Sequence, residues 1–553
     1  MNLAKLLLYF NTVKHLKLRQ FIFNFIRRFS GNQKIAYVDN VSCHSLNLIA
    51  SIVYKNKIDN ESVCFLNQKR SFEYIIDWAC MDEPKLWRYN LHYFDFLLDD
   101  GAPEQVKDKL INDWITISHG LKEDAWEPYP VSLRIVNWVK YFIKYKNNNV
   151  PDAWLVSLAQ QAHVLYHSIE YHILANHYLK NGKGLFFAGA YLNVDYSSKW
   201  FDKGKVILIE EAEEQILNDG GHYEKSPMYH SILVEDYLDV INLISSNSLS
   251  LTSDELVFLT EKTTKALSFL NTILMPDSDI PLFNDSAFKI TPHPDEIFQY
   301  AQKVIGYERP EVSNEKEITA LTDSGYFIIR NKNSQCVIDC GSISPEYQPG
   351  HTHCDLLSYE LSIKGHRVVV DTGLHDYEGS EDRVYARSTK AHNTIEIDNK
   401  EQSEVWGQFR VARRAKVLSS RLYTDNGMGN VFEGSYKPYW ASADNIIHSR
   451  KVINKDNVWT INDEVLGSGS HSVKNYIHFH PDIEILNDSN KYLLVKHGVN
   501  IAELEISDGF DCFISDGYYY PEFGKKYNSK VMIMSSYKVL PAELEYSIKS
   551  LIS

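Results

Sequence analysis

The spacing of apolar residues changes once along this chain. From Trp87 to about residue 308 they recur at helical intervals. Val131-Ser132-Leu133-Arg134-Ile135-Val136-Asn137-Trp138-Val139-Lys140-Tyr141-Phe142 is a clear case, and residues 154–174 are another. Short Gly, Asn or Pro breaks separate these segments and no strict repeat recurs, which predicts a large all-helical domain of stacked hairpins. Around residues 309–317 the composition turns polar. Beyond it the period shortens to two, and residues 325–330, 335–339, 366–371, 394–398, 458–462 and 492–495 read as strands. Asn426-Gly427 and Lys364-Gly365 supply turns between some of them. The pattern predicts a partly helical segment over 1–80, a helical domain over 81–312 and an antiparallel β-sandwich over 313–553. Residues 1–28 read as a basic amphipathic helix ending in Arg27-Arg28. It is expected to pack on the body, with contact to an anionic membrane surface as the alternative.

Composition narrows the field. At 553 residues the chain exceeds one ordinary core. Aromatics reach 13%, with 35 Tyr and 10 Trp, which suits stacking on sugar rings as well as plain packing. A formal net charge of −15 argues against a general nucleic-acid binder. An acidic polymer could then bind only in a locally basic groove, for which Arg410, Arg413, Arg414 and Lys416 are candidates. Seven cysteines without a CxxC point to free thiols rather than disulfides or a thiolate zinc site. No apolar run approaches a membrane span and no signal peptide is legible, so the cytoplasm is the default compartment, with the periplasm or secretion open. No pattern reports the oligomeric state.

The chemistry-bearing residues come in clusters. If a strand begins near His351 in Gly350-His351-Thr352-His353-Cys354-Asp355, its two histidines share a face roughly 6.6 Å apart. One could then hold a metal while the other reaches a substrate. By itself the pair is equally a solvated strand entry. Asp371 closes the apolar run 368–370 and His392 opens the strand at 394. With His353 they make a His/Asp/His set suited to zinc, with a fourth position open. In the helical domain Asn176-His177 reads as a helix end ahead of Asn181-Gly182-Lys183-Gly184, either a cap or a pair of donors into a cleft. His163, His167 and Glu170 fall on one helical face, more simply a polar face than a metal site. A two-glycine turn, Asp219-Gly220-Gly221, delivers His222, Glu224 and Tyr229 to a helix start, where Tyr229 could exchange a proton with a ligand.

Taken together, Asn176-His177 and the segments 219–229, 350–355, 370–373 and 387–394 resemble the heparinase II/III family of polysaccharide lyases, over roughly residues 85–420. The resemblance implies an incomplete (α/α) toroid followed by an antiparallel β-sandwich, with the cleft between them. It implies Tyr229 and His351 as catalytic residues, Asn176 with His177 on the uronate carboxylate, and His353, Asp371 and His392 as ligands of a structural zinc. Some relatives use a second tyrosine from the β-domain, and Tyr377 and Tyr385 both lie in that region. Arg134 is taken as a further substrate contact. The implied reaction is β-elimination on an acidic polysaccharide, glycosaminoglycan-like or alginate-like, leaving 4,5-unsaturated uronate ends. Either Tyr229 or His351 would take the C5 proton, and the other role falls to protonation of O4. Two rivals stand beside this: a glycoside hydrolase using Asp219 and Glu224, and a glycan-binding protein of surface-polysaccharide assembly.

Overall fold

The computed structural model describes residues 3–29, 41–55, 57–59, 61–72, 76–121, 123–311, 317–442, 444–488 and 491–552. Two short helices, α1 (Leu3–Val13) and α2 (Leu18–Phe29), stand where one amphipathic helix is expected. Then come α3 (Lys85–Tyr93), α4 (Glu104–Ile117), α5 (Pro128–Lys146), α6 (Asp152–His167), α7 (Ala175–Tyr191), α8 (Ser197–Gln215), α9 (Pro227–Ser245), α10 (Ser253–Ile273) and α11 (Pro294–Ile305). Their limits follow ordinary chemistry. Pro128 and Pro227 open α5 and α9, where their missing N–H costs nothing. Thr252 and Glu255 form a reciprocal capping box on α10. α5 packs on α3, α6 and α7, α7 on α8, and α9 on α10 and α11, giving a toroid around one large apolar core.

One boundary differs from the sequence reading. The helix expected over 154–174 stops at His167, and Asn176-His177 opens α7 rather than closing a helix. The misleading glycines lie inside α7. A Cβ on Gly182 would stand 2.5 Å from the Ile207 side chain of α8, and one on Gly204 of α8 would stand 2.4 Å from the Phe186 nitrogen. They are there because two helix backbones touch, not because a helix ends.

α11 ends at Ile305 and the next β-strand starts at Ile318. A five-stranded antiparallel meander (Ile318–Leu321, Tyr326–Arg330, Ser334–Asp339, Tyr359–Ile363, His366–Val369) continues into a four-stranded sheet through a bridge between Val369 and Phe479. An eight-stranded sheet packs on this layer. Its strands Ile447–Lys455, Val458–Leu466 and Ala542–Ser550 alternate buried and exposed positions, the mark of a sheet with one wet face. Phe327, Ile338 and Leu361 of one layer meet Phe432, Trp459 and Tyr546 of the other in the sandwich core. Helical and β halves are joined by an apolar seam, where Phe269, Ile273 and Phe283 pack on Tyr326, Ile328 and Val337.

Candidate active site

A cleft of about 920 Å³ opens beside that seam, and both halves line it. From the helical side come Asn176 and His177 at the start of α7 and Tyr229 at the start of α9. From the β side come His351, Tyr377 and Phe409. Each helical residue is placed by a local device. Leu174 and Ala175 adopt φ of +66° and +55°, a tight reversal that sets the start of α7 at the cleft. Ser226 caps α9 by accepting the Tyr229 N–H at 3.2 Å, which fixes the first turn that carries the phenol.

His351 and His353 do not sit on a strand. Residues 350–358 form an irregular segment, and the next strand begins at Tyr359. A single carboxylate holds both imidazoles. Asp285 Oδ2 lies 2.8 Å from His351 Nδ1 and Asp285 Oδ1 lies 2.8 Å from His353 Nε2. Arg383 of the short helix α12 (Glu381–Ala386) grips the same carboxylate, with Nη2 3.0 Å from Oδ2. Burial alone would raise the Asp285 carboxyl, but Arg383 and the two histidines hold it well below the usual range. It is therefore an anion that fixes Nδ1 of His351 as a donor.

Around His351 the reactive groups converge. Its ring stacks on Tyr229 with centroids 3.9 Å apart, and the Tyr229 hydroxyl is 3.1 Å from that of Tyr377. Its Nε2 lies 3.2 Å from Glu224, which in turn accepts the Asn176 backbone N–H at 3.3 Å. Burial pushes the Tyr229 hydroxyl well above the usual phenol range, so it is a proton carrier at neutral pH. Burial also pushes the Glu224 carboxyl up, against the pull of His351 and Asn176. At His177, burial works to lower the imidazole, but Glu170, 3.0 Å from Nδ1, outweighs it and the net shift is upward.

Several expected residues stand elsewhere. Arg134 is not at the cleft. It is fully buried, its guanidinium donates to Gln161, to the His92 carbonyl and to the Ala125 carbonyl, and it lies over the Trp114 ring. Each of its three nitrogens donates to a neighbouring segment of the helical half, and the side chain does not reach the cleft. Glu170 lies beyond the end of α6 and pairs with His177 rather than with His163 and His167. Asp219 accepts from Ser324 and Gly221 in a turn away from the cleft, so Asp219 and Glu224 do not flank a bond as a hydrolase pair. Arg410 lies over Trp406 and Arg413 pairs with Glu404, both off the cleft. Of the two β-domain tyrosines, Tyr377 lines the cleft, whereas Tyr385 packs against Tyr518 and Tyr520.

The metal-type cluster is also corrected in one member. Ligand atoms of His353, Asp355 and His392 lie within 4.8 Å of one another, and all three side chains are buried. Asp371 falls outside this group. Its Oδ2 takes His392 Nδ1 at 2.7 Å. With Asp285 on His353 Nε2 and Asp371 on His392 Nδ1, the remaining nitrogens, His353 Nδ1 and His392 Nε2, are buried without a partner. Two imidazoles, each pinned through its other nitrogen by a carboxylate, plus a third carboxylate, fit a tetrahedral cation with one further position.

Asp285, Glu224, Arg383 and Asp355 carry much of this geometry and were not singled out as site residues for these roles. The signal for Asp285 was faint: the polar triplet Asn284-Asp285-Ser286 directly after the apolar Leu282-Phe283.

Known proteins place this architecture. Residues 67–303 match the heparinase II/III N-terminus and residues 314–547 the heparinase II/III-like C-terminal domain. A heparin-sulfate lyase of Bacteroides thetaiotaomicron is 25% identical over 458 residues, 72% of this chain and 62% of that protein. One of Pedobacter heparinus is 26% identical over 310 residues, 51% of this chain and 46% of its own. The matched stretches thus span about half to three fifths of these relatives. A heparinase III crystal structure superposes with a TM-score of 0.68 at 19% identity, covering 87% of this chain and 80% of that one. A chondroitin AC lyase of Streptomyces coelicolor superposes with 0.54 at 7% identity, covering 85% and 74%, a likeness of fold. With its helical and its β half matched in order by the two domains of one family, the chain belongs to the heparinase II/III family.

Proposed function

We propose that this protein is a polysaccharide lyase that cleaves a uronate-containing, glycosaminoglycan-type chain by β-elimination. The observation that carries the reading is the meeting of Tyr229, His351 and the Asn176–His177 start of α7 in one cleft. Removing the C5 proton of a uronate requires that its carboxylate take up the developing charge. The positive end of α7, the Asn176 side-chain amide and a protonated His177 are the groups that face that oxyanion. Glu224, its carboxyl raised by burial, accepts the Asn176 backbone N–H and so positions the start of α7 beside them.

Tyr229, neutral by burial, is the acid that protonates O4 as the bond to it breaks. His351 is the base. Asp285 holds its Nδ1, so the lone pair sits on Nε2, and the imidazolium formed there is flanked by Asp285 and Glu224 as it forms. Tyr377, 3.1 Å from the Tyr229 hydroxyl, orients that phenol. His353, Asp355 and His392 would hold a zinc ion, which supplies a structural tie for the segment that presents His351.

The cleft also bears on the substrate. Among the described residues seven lysines and no arginine line it, and each lysine already has a carboxylate at ion-pair distance, as in Lys180–Asp236 at 2.7 Å and Lys57–Asp95 at 3.2 Å. A sulfate would find its cations committed, which favours stretches of low sulfation. The test is a panel of unsulfated and sulfated uronate polysaccharides, followed by the ultraviolet absorbance of 4,5-unsaturated ends. The expected result is absorbance, fastest on the unsulfated polymer. New reducing ends without absorbance would make this a hydrolase, and binding without either would make it a glycan-binding protein.

A further inference from the structure

The first two helices are built the wrong way round for packing. In α1, Leu3, Leu6, Leu7 and Phe10 fall at helical spacing on one stripe, and they are exposed by 71%, 47%, 52% and 63%. In α2, Leu18, Phe21 and Ile22 form a second stripe, also exposed. The opposite faces hold both helices on the body. Tyr9 meets the Trp406 ring edge-on at 5.3 Å, and Thr12 accepts the Trp406 indole N–H at 3.0 Å. The buried Gln20 donates to the Ile173 carbonyl at 3.2 Å, and Arg19 lies over Tyr171. Apolar stripes of this size, turned outward by polar anchoring on the other side, mark a surface meant to be covered.

Charge identifies the cover. α1, α2 and the turn between them carry six Lys or Arg and no carboxylate, in a chain of net charge −15. Lys17 pairs with Glu214 and Arg27 contacts His172, whereas Lys5, Lys14 and Arg28 are exposed along with the stripes. We infer that α1 and α2 form a docking face for the surface of a bilayer containing anionic lipid. Leucine and phenylalanine enter the headgroup boundary while lysine and arginine meet the phosphates. Helices of 11 and 12 residues reach only about 16–18 Å, against the ~30 Å of a hydrocarbon core, so they lie in the interface and do not cross it.

The experiment is flotation of the full chain with phosphatidylcholine vesicles, with and without phosphatidylglycerol, at low and high salt. The expected result is binding to the anionic vesicles that weakens in high salt. A triple Leu7→Asp, Phe10→Asp, Phe21→Asp variant should bind at least about tenfold more weakly, with unchanged circular dichroism and Tm. Absence of wild-type binding, or equal binding by the variant, overturns the inference. So does a wild-type dimer in sedimentation that the variant turns into a monomer, because a second copy is then the cover.

Discussion

Two buried clusters, one where the helical half meets the β half and one within the β half, are near copies in composition. Asp285 holds His351, His353 and Arg383. Asp463 holds His448 at 2.7 Å, Arg450 through two bonds of 2.7 Å, and Asn475 at 2.8 Å. Both carboxylates are fully buried, and in both the neighbouring cations overcome burial, leaving Asp463 at about 2 and Asp285 well below its usual range. They differ in what they leave open. Asp463 stands on Val458–Leu466, its partners on the paired strand Ile447–Lys455 and on Ser470–His478 of the facing sheet, and the cluster lines no part of the cleft. The partners of Asp285 come from an irregular segment and a short helix. One of them, His351, reaches the cleft, while His353 keeps an unpaired buried nitrogen, its ring 5.3 Å from that of His392. Burial, charge and residue type are shared, so none of them marks a site. Access and uncommitted atoms do.

The largest expected effect lies at the open side of the first cluster. Tyr229→Phe removes the acid and should lower kcat by about 1000-fold, within the range of general acid–base catalysis. Tm should hold, because the ring still stacks on His351. A variant with near-native kcat would remove Tyr229 from the chemistry.

Next, Asp285→Asn and Asp463→Asn test the comparison head to head. Each leaves a buried arginine without its counter-charge, which typically costs about 3–5 kcal/mol, so both should melt earlier. Only Asp285→Asn should also lower kcat of the folded protein, by about 100-fold, because His351 loses the partner that fixes its tautomer. If Asp463→Asn cost as much activity, or Asp285→Asn none, the distinction between the clusters would fail.

The sequence made the open features easier to read than the supports beneath them. Tyr229 was legible because Pro227 and an apolar run mark a helix start a residue or two away. The strand at 458–466 was legible because a half-buried sheet imposes its period locally, and that at 366–369 because it is a short apolar run of β-branched residues buried on both faces. Asp285 was not, since it lies 66 and 68 residues from the histidines it holds and only the tertiary fold joins them. Gly182 misled for a similar reason: its cause is Ile207, on another helix. Arg134 was taken as a substrate contact, yet its partners Gln161, His92 and Ala125 come from three other segments that only the tertiary fold brings to it. Asp355 and Asp371 are both carboxylates close to histidines, and only the fold sets Asp355 in one group with His353 and His392 and Asp371 on His392 Nδ1.

That last difference yields a prediction of intermediate size. One zinc per chain is expected by elemental analysis, and a chelator should lower Tm. Asp371→Asn should weaken metal affinity about 10- to 100-fold by loosening His392, whereas Asp355→Asn should abolish stoichiometric metal. Equal metal loss in both variants would put Asp371 back among the ligands.

The smallest effect concerns charge at the cleft floor. Burial tends to lower the His177 imidazole, yet Glu170 raises it above the ordinary value of 6.5 overall. Glu170 in turn is held low, its own burial outweighed by His177 and Asn181. A group whose folded pKa is raised gives its full contribution below its unfolded pKa and loses it as pH rises through the folded one. The His177–Glu170 pair therefore stabilises the fold on the acidic side and fades on the alkaline side of that raised value. Uronate binding should fade with it, since only the imidazolium carries the charge. KM should rise with pH above 6.5 while kcat, set by Tyr229 and His351, follows a different profile. His177→Gln keeps a donor but no charge, so KM should be roughly tenfold higher, worth ~1.4 kcal/mol, and this alkaline rise should disappear. A variant that kept the wild-type rise of KM with pH would place the titrating group elsewhere.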